Sequence, residues 1–302
     1  MFSAPAIPYL HIPELVLIPK ALYKGFPPVD FSIKPFGALV ATGVYVGAVL
    51  ATRLAKRLGF HERAMTSFMV WVAVAGFLSA HMLDVIFYYP GQVLEDPLSL
   101  LRLWEGLSSF GGFSGAIIGG FLWKWRYKAD ILPYSDVVAS AFPVGWVFGR
   151  TGCSIAHDHP GLASDAWFAV QYPDGGRFDL GLYEMLLTIP LALAFLWLRK
   201  KPRPWGFYLG AMMIAYAPVR FALDFLRVAE PIAERGGLVA AVDPRYAGLT
   251  PAQWACFGLL LLGVYFFAHT LNSAGSPAAF AAPPLPAALG GRAGGAAVTR
   301  ES

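Results

Sequence analysis

The stretch Gly149 to Gly161 reads GRTGCSIAHDHPG and gathers Arg150, Cys153, His157, Asp158 and His159 in a chain of which only 14% is charged. Each residue type has an obvious use. A guanidinium grips phosphate through two parallel hydrogen bonds. A histidine accepts a proton near neutral pH, and a neighbouring carboxylate fixes its tautomer. Gly149 flanks Arg150, Gly161 closes the stretch, and glycine lets backbone come close to a ligand. Cys153 follows Arg150 by one helical turn and shares its face. A second group lies in VRFALDFLR, where Arg220, Asp224 and Arg227 are spaced four and three apart on one helix face. Two guanidinium groups there suit a phosphate, with Asp224 holding one in place. His81 with Asp84, and Glu184 at the end of LYE, are accessory candidates. Plainer roles fit the same residues: an ion-pair ladder with snorkelling ends, an interfacial anchor at Arg150, loop histidines, a packed small residue at Cys153, an intrahelical pair at His81 and Asp84, and a helix-start acid at Glu184.

The elements that position these groups are apolar. The 302 residues are 57% hydrophobic and 15% aromatic, with a mean hydropathy of +0.54. This balance excludes an ordinary soluble domain and points to an all-α polytopic membrane protein. A span needs about 20 largely apolar residues, and seven windows provide them: Phe36 to Leu54, Met65 to Tyr88, Ser108 to Trp125, Ile131 to Ile155, Leu180 to Leu198, Trp205 to Leu226 and Gln253 to Leu271. Seven transmembrane helices are expected. A barrel would require an alternation that is absent. Basic residues cluster after the first, third and fifth windows (Arg53, Lys56, Arg57 and Arg63; Lys124, Arg126 and Lys128; Arg199, Lys200, Lys201 and Arg203), so these loops face the cytoplasm. The N-terminus then lies outside and the C-terminus inside. On this topology Arg150, the histidines and the Arg220 group sit at the same outer depth, where buried charge is costly and usually lines a cavity. His81, Asp84 and Glu184 could join it.

The formal charge of +4 reports topology rather than a nucleic-acid partner. Cys153 and Cys256 support no disulfide framework, and the first residues lack the pattern of a removable signal peptide. Residues 1–34, broken by prolines yet carrying Tyr9, Leu10, Leu15 and Val16, read as an interfacial segment. Residues 35–272 form the seven-helix domain. The Ala, Gly and Pro tract at 273–302 is expected to be a disordered tail. Gly111, Gly112, Gly115 and Gly119 form a face for close helix packing.

From about Phe31 to Phe267 the chain resembles the prolipoprotein diacylglyceryl transferases of bacterial inner membranes. The likeness rests on WEGLSSFGGFSGAIIGG, GRTG, LYE at Leu182 to Glu184, RFALDFLR and LTPAQW. It implies a multi-pass inner-membrane enzyme with its active site toward the periplasm. The N-terminus would be periplasmic and the C-terminus cytoplasmic. Such an enzyme moves the diacylglyceryl group of phosphatidylglycerol, or of another phospholipid, to the thiol of a preprolipoprotein's lipobox cysteine and releases glycerol phosphate. Gly149, Arg150, Gly152, Gly161, Arg220 and Arg227 match the family's motif positions, while Asp224 and Asp158 stand where it carries glutamate. Phe110 replaces a family histidine, Cys153 an asparagine, His81 an arginine and Phe36 a tyrosine.

The chemistry these residues suggest needs neither metal nor cofactor. Arg150 and Arg220 hold the phosphate with Arg227 further out, Asp224 and Asp158 orient the guanidinium groups, and His157 or His159 takes the thiol proton. Two alternatives remain open. One is a non-catalytic homologue that binds lipid or lipoprotein. The other is a metal-assisted membrane lipid hydrolase using His157, His159, Asp158, His81 and Asp84 as ligands.

Overall fold

Each of the seven apolar windows is helical. The computed structural model describes residues 5–10, 12–13, 15–18, 31–88, 90–102, 108–228, 232–234, 237–240 and 245–290. The helices are α1 Pro35–Arg57, α2 Glu62–Tyr88, a short α3 Pro90–Glu95, α4 Ser109–Tyr127, α5 Leu132–Ala156, α6 Leu180–Leu198, α7 Phe207–Leu223 and α8 Pro251–Ser273. Among the described residues, α1, α2, α6, α7 with the turn after it, and α8 are long and apolar enough to cross a membrane. Their outer faces are apolar as well as their inner ones: Val70 and Val74 on α2, Ile117 and Phe121 on α4, and Leu261 and Val264 on α8 are all exposed. In water such faces would drive association; in a bilayer they meet lipid. The chain is thus a helical, multi-pass membrane protein. Pro143, Pro190 and Pro218 lie inside α5, α6 and α7, a position tolerated where neighbouring helices satisfy the freed carbonyls.

The chain divides into two compact units, one of residues 1–50 and 139–274, the other of residues 51–138 and 275–302. In the second unit the glycine face of α4 meets α2. A Cβ on Gly111 would lie 2.5 Å from the Ser79 carbonyl oxygen, and one on Gly119 2.6 Å from that of Trp71. Only glycine allows that approach, as the spacing predicts. Trp123, Phe68 and Tyr134 fill the core beside it. In the first unit Gly210 and Gly263 bring α7 against α8 in the same way.

The fold is not wholly helical. A four-stranded sheet runs in the order β1-β5-β6-β4, built from β1 Ile7–Pro8, β4 Pro160–Ala163, β5 Val170–Tyr172 and β6 Gly175–Asp179. β5 and β6 form a hairpin around Pro173 and Asp174, with Tyr172 paired to Gly175, whose φ of +129° favours glycine. The Pro-Asp-Gly run is a turn signal with a known mechanism. Two hairpins complete the strands: β2 Leu15–Ile18 with β3 Phe31–Ile33, and β7 Ile232–Glu234 with β8 Gly237–Ala240. Thus the described parts of the N-terminal segment include the strands β1, β2 and β3, and β1 pairs in parallel with β5.

The expected disordered tail also needs correction over its described part. Residues 274–290 contain two 3-10 turns, Pro277–Ala279 and Ala287–Leu289, and the Arg63 guanidinium donates to the Leu289 carbonyl (3.0 Å). The prolines that forbid a helix there still permit tight turns, and a cation supplies a partner for an open carbonyl. Residues 291–302 lie outside the described residues.

Candidate active site

α5, α6 and α7 deliver their charges to one buried cluster in the first unit. Glu184, one turn into α6, is its centre. Its Oε2 lies 2.7 Å from Arg150 Nε and its Oε1 3.3 Å from Arg220 Nη1, so one carboxylate bridges two guanidinium groups. The Tyr216 hydroxyl, one turn before Arg220 on α7, donates to Glu184 Oε2 (3.2 Å). Arg150 stacks over Trp146, one turn earlier on α5, with its Cζ 4.6 Å from the ring centroid. These contacts fix the direction of the guanidinium plane. Arg150 and Glu184 are buried, at 5% and 3% exposure.

The Arg220, Asp224 and Arg227 ladder forms as its spacing requires. Asp224 Oδ1 lies 3.0 Å from Arg220 Nη2 and 3.6 Å from Arg227 Nη1. The helix tightens into a 3-10 turn at Asp224–Leu226, and Arg227 then leaves it in extended conformation to form a bridge with Gly161. That bridge explains the signature's last glycine, since a Cβ there would lie 2.6 Å from the Leu226 carbonyl oxygen and 2.9 Å from that of Phe178. Gly152 is similarly closed in by Phe36 at the start of α1. Gly149, by contrast, has open space where a side chain would be.

The histidines divide in role. His157 ends α5 in the left-handed region (φ +50°) and is buried. Its Nδ1 hydrogen-bonds with Asp179 Oδ2 (2.6 Å) and its Nε2 with the Leu10 carbonyl (3.2 Å), and Tyr9 stacks on its ring at 3.9 Å. Both nitrogens are occupied, so neither offers a lone pair to a substrate; His157 fastens the N-terminal arm instead. Asp158 pairs with Nδ1 of His159. Of the partners expected for Asp158, His159 is thus in direct contact with it. That bond assigns the proton of His159 to Nδ1 and leaves Nε2 as the accepting nitrogen.

Cys153, Asp158 and His159 hold their polar atoms within 4.8 Å of one another. Those donor types suit a soft divalent ion, but Arg150 Nη1 donates to the Cys153 Sγ at 3.8 Å, and a guanidinium beside the thiol opposes a cation. His157 is already committed elsewhere. His81 lies in the second unit, fully buried, with Nε2 donating to the Ser99 carbonyl (3.1 Å). The side chains of Asp84 and Phe110 lie outside the described residues.

Sequence reasoning missed five contributors. Asp179 caps α6 by accepting from Leu182 N–H (2.9 Å), and its other oxygen holds His157 and the Tyr172 hydroxyl (3.0 Å). An aspartate directly before an apolar run is an N-cap signal that could have found it. Burial and the adjacent Asp179 push the Tyr172 phenol well above its ordinary range, so it stays a neutral donor. Tyr216 and Trp146 carry no motif; only helical spacing from Arg220 and Arg150 hints at them. Thr250, which bonds Asp224, sits in a Thr-x-x-Gln capping box that the sequence does display.

Comparison with known proteins shows which family the chain resembles. Residues 26–269 match the family model described as prolipoprotein diacylglyceryl transferase. Among similar proteins, a phosphatidylglycerol-prolipoprotein diacylglyceryl transferase of Actinobacillus pleuropneumoniae is 32% identical over 68% of this chain and 82% of its own. One from Chromohalobacter salexigens is 30% identical over 69% and 82%. That of Nitratidesulfovibrio vulgaris is 29% identical over 85% and 98%.

Proposed function

The chain belongs to the prolipoprotein diacylglyceryl transferase family, and from that premise we propose that Arg150, Arg220 and His159 carry the reaction. Its activity is that of a membrane transferase of lipoprotein biosynthesis, which moves the diacylglyceryl group of phosphatidylglycerol to a prolipoprotein. The acceptor atom is the thiol of a lipobox cysteine. The observation that supports the site is the convergence of its arginines. The ion-paired cluster holds three guanidinium groups, Arg150, Arg220 and Arg227, against two carboxylates, Glu184 and Asp224. Three guanidinium groups thus converge at membrane depth, a site that suits a phosphodiester monoanion such as phosphatidylglycerol.

The step balances as follows. His159 Nε2 takes the proton of the acceptor thiol while Asp158 holds Nδ1–H. The thiolate sulfur bonds the terminal glyceryl carbon of the diacylglyceryl group, and that carbon's bond to the phosphate oxygen breaks. Its electron pair stays on the oxygen, so glycerol phosphate leaves with one more negative charge than the diester carried. Arg150 and Arg220 meet that charge with donors already oriented by Glu184, Trp146 and Asp224. The site opens toward the periplasmic face of the inner membrane, with seven crossings, the N-terminus outside and the C-terminus inside; the basic loops after α1, α4 and α6 support this orientation.

The test is release of glycerol phosphate from vesicles of phosphatidylglycerol containing the purified protein, with and without a lipobox peptide. Release that depends on the peptide, and that disappears in Arg150→Ala and Arg220→Ala, is expected. Release undiminished in both variants would remove the arginines from the mechanism.

A further inference from the structure

We infer that Thr250 is a positioning residue of this site, acting through Asp224 to hold Arg220 and Arg227 toward the phosphate. The inference rests on the reading of Arg220 as a phosphate ligand given above. Asp224 is fully buried and its two oxygens are divided. Oδ1 faces Arg220 and Arg227, and Oδ2 accepts the Thr250 hydroxyl. An ionised carboxylate only accepts, so this hydroxyl is the neutral donor that turns Oδ1, rather than Oδ2, to the arginines.

Thr250 is itself pinned on every side. Its Oγ1 accepts from the Gln253 N–H (3.1 Å), and the Gln253 side-chain oxygen accepts from the Thr250 N–H (3.0 Å). With its one proton given to Asp224, the hydroxyl has no rotational freedom left. The Gln253 side-chain amide then donates to the Phe221 carbonyl (3.2 Å), an open acceptor in the last turn of α7. Thr250 and Gln253 are buried, at 1% and 0% exposure. The start of α8 is thus clamped to the end of α7 at the turn that carries Asp224. A capping box alone requires none of this: a cap needs the hydroxyl as acceptor, whereas Asp224 uses it as donor.

The two roles separate experimentally. The full-length protein in phosphatidylglycerol vesicles is assayed at varied lipid fraction and varied lipobox peptide, beside Thr250→Ser, Thr250→Val and Thr250→Asn. Serine keeps donor and acceptor and should behave as wild type. Valine removes both and should raise KM for phosphatidylglycerol about tenfold, the effect of losing one hydrogen bond to a charged group, with the peptide KM unchanged. Asparagine keeps the cap but its longer side chain displaces the donor, so it should raise the lipid KM in the same direction; it carries the test if the valine protein cannot be recovered. A lipid KM at the wild-type value in both valine and asparagine variants would overturn the inference, as would a loss of folded protein with both KM values intact. A wild-type protein that forms no product would overturn the phosphate-site reading and this inference with it.

Discussion

Glu184 carries opposite loads from Arg150 and Arg220, so its replacement should be felt by both. Glu184→Gln leaves the buried Arg150 and the part-buried Arg220 facing a neutral amide, and breaking a buried pair costs about 3–5 kcal/mol. A matching loss in thermal or denaturant stability is expected, and a neutral result would mean the pairs are dispensable. Arg150→Lys keeps the charge but loses the planar fork and the stack on Trp146. Transfer should fall about 10²-fold, as for removal of one oriented donor, and an unchanged rate would defeat the phosphate role. The histidines should respond differently. His159→Ala should lower transfer by about 10²–10⁴-fold, the usual worth of a general base, with folding intact. His157→Ala should loosen the Tyr9 and Leu10 arm and lower stability instead; the reverse pattern would exchange the two assignments. The residue types and spacings of Arg150, Arg220 and Asp224 made these members of the charged cluster legible in the sequence. The division between His157 and His159 was not, because it depends on contacts with Asp179 and Leu10, which are distant in the chain, and the N-cap signal at Asp179 does not point to a histidine.

At the scale of elements, close backbone approach does the positioning. Gly161 lets the strand after α5 lie beside Arg227, so Gly161→Ala should force those strands apart at a cost of about 1–3 kcal/mol and weaken lipid binding through Arg227. Unfolding together with lipid KM measures both, and a fully wild-type variant would contradict the packing. The helices were legible because apolar windows of membrane length are a strong signal, and the α4 glycine face was legible because its period matches a helix. The sheet was missed for a physical reason: its strands run to five residues at most and are held by Asp179, Tyr172 and the Pro-Asp-Gly turn rather than by an alternating pattern. The tail was misread over its described part because composition alone does not register a hydrogen bond such as that from Arg63 to Leu289.

At the scale of the whole molecule, a helical membrane body presents apolar faces to lipid, and the Arg150, Glu184, Arg220, Asp224 and Arg227 cluster lies within one unit. On the proposed orientation, single cysteines placed beside Asp174 should react with an impermeant thiol reagent from the periplasmic side, and cysteines placed beside Lys200 only after the membrane is opened. The opposite labelling would invert the topology. The central claim is that this cluster drives transfer from phosphatidylglycerol to a thiol. Mass spectrometry of a lipobox peptide incubated with the purified protein and phosphatidylglycerol vesicles tests it most directly. The account predicts a peptide heavier by one diacylglyceryl group on its cysteine, formed in step with glycerol phosphate and absent when Arg150 is alanine. A peptide of unchanged mass with the wild-type protein, or full modification with the Arg150→Ala variant, would contradict it.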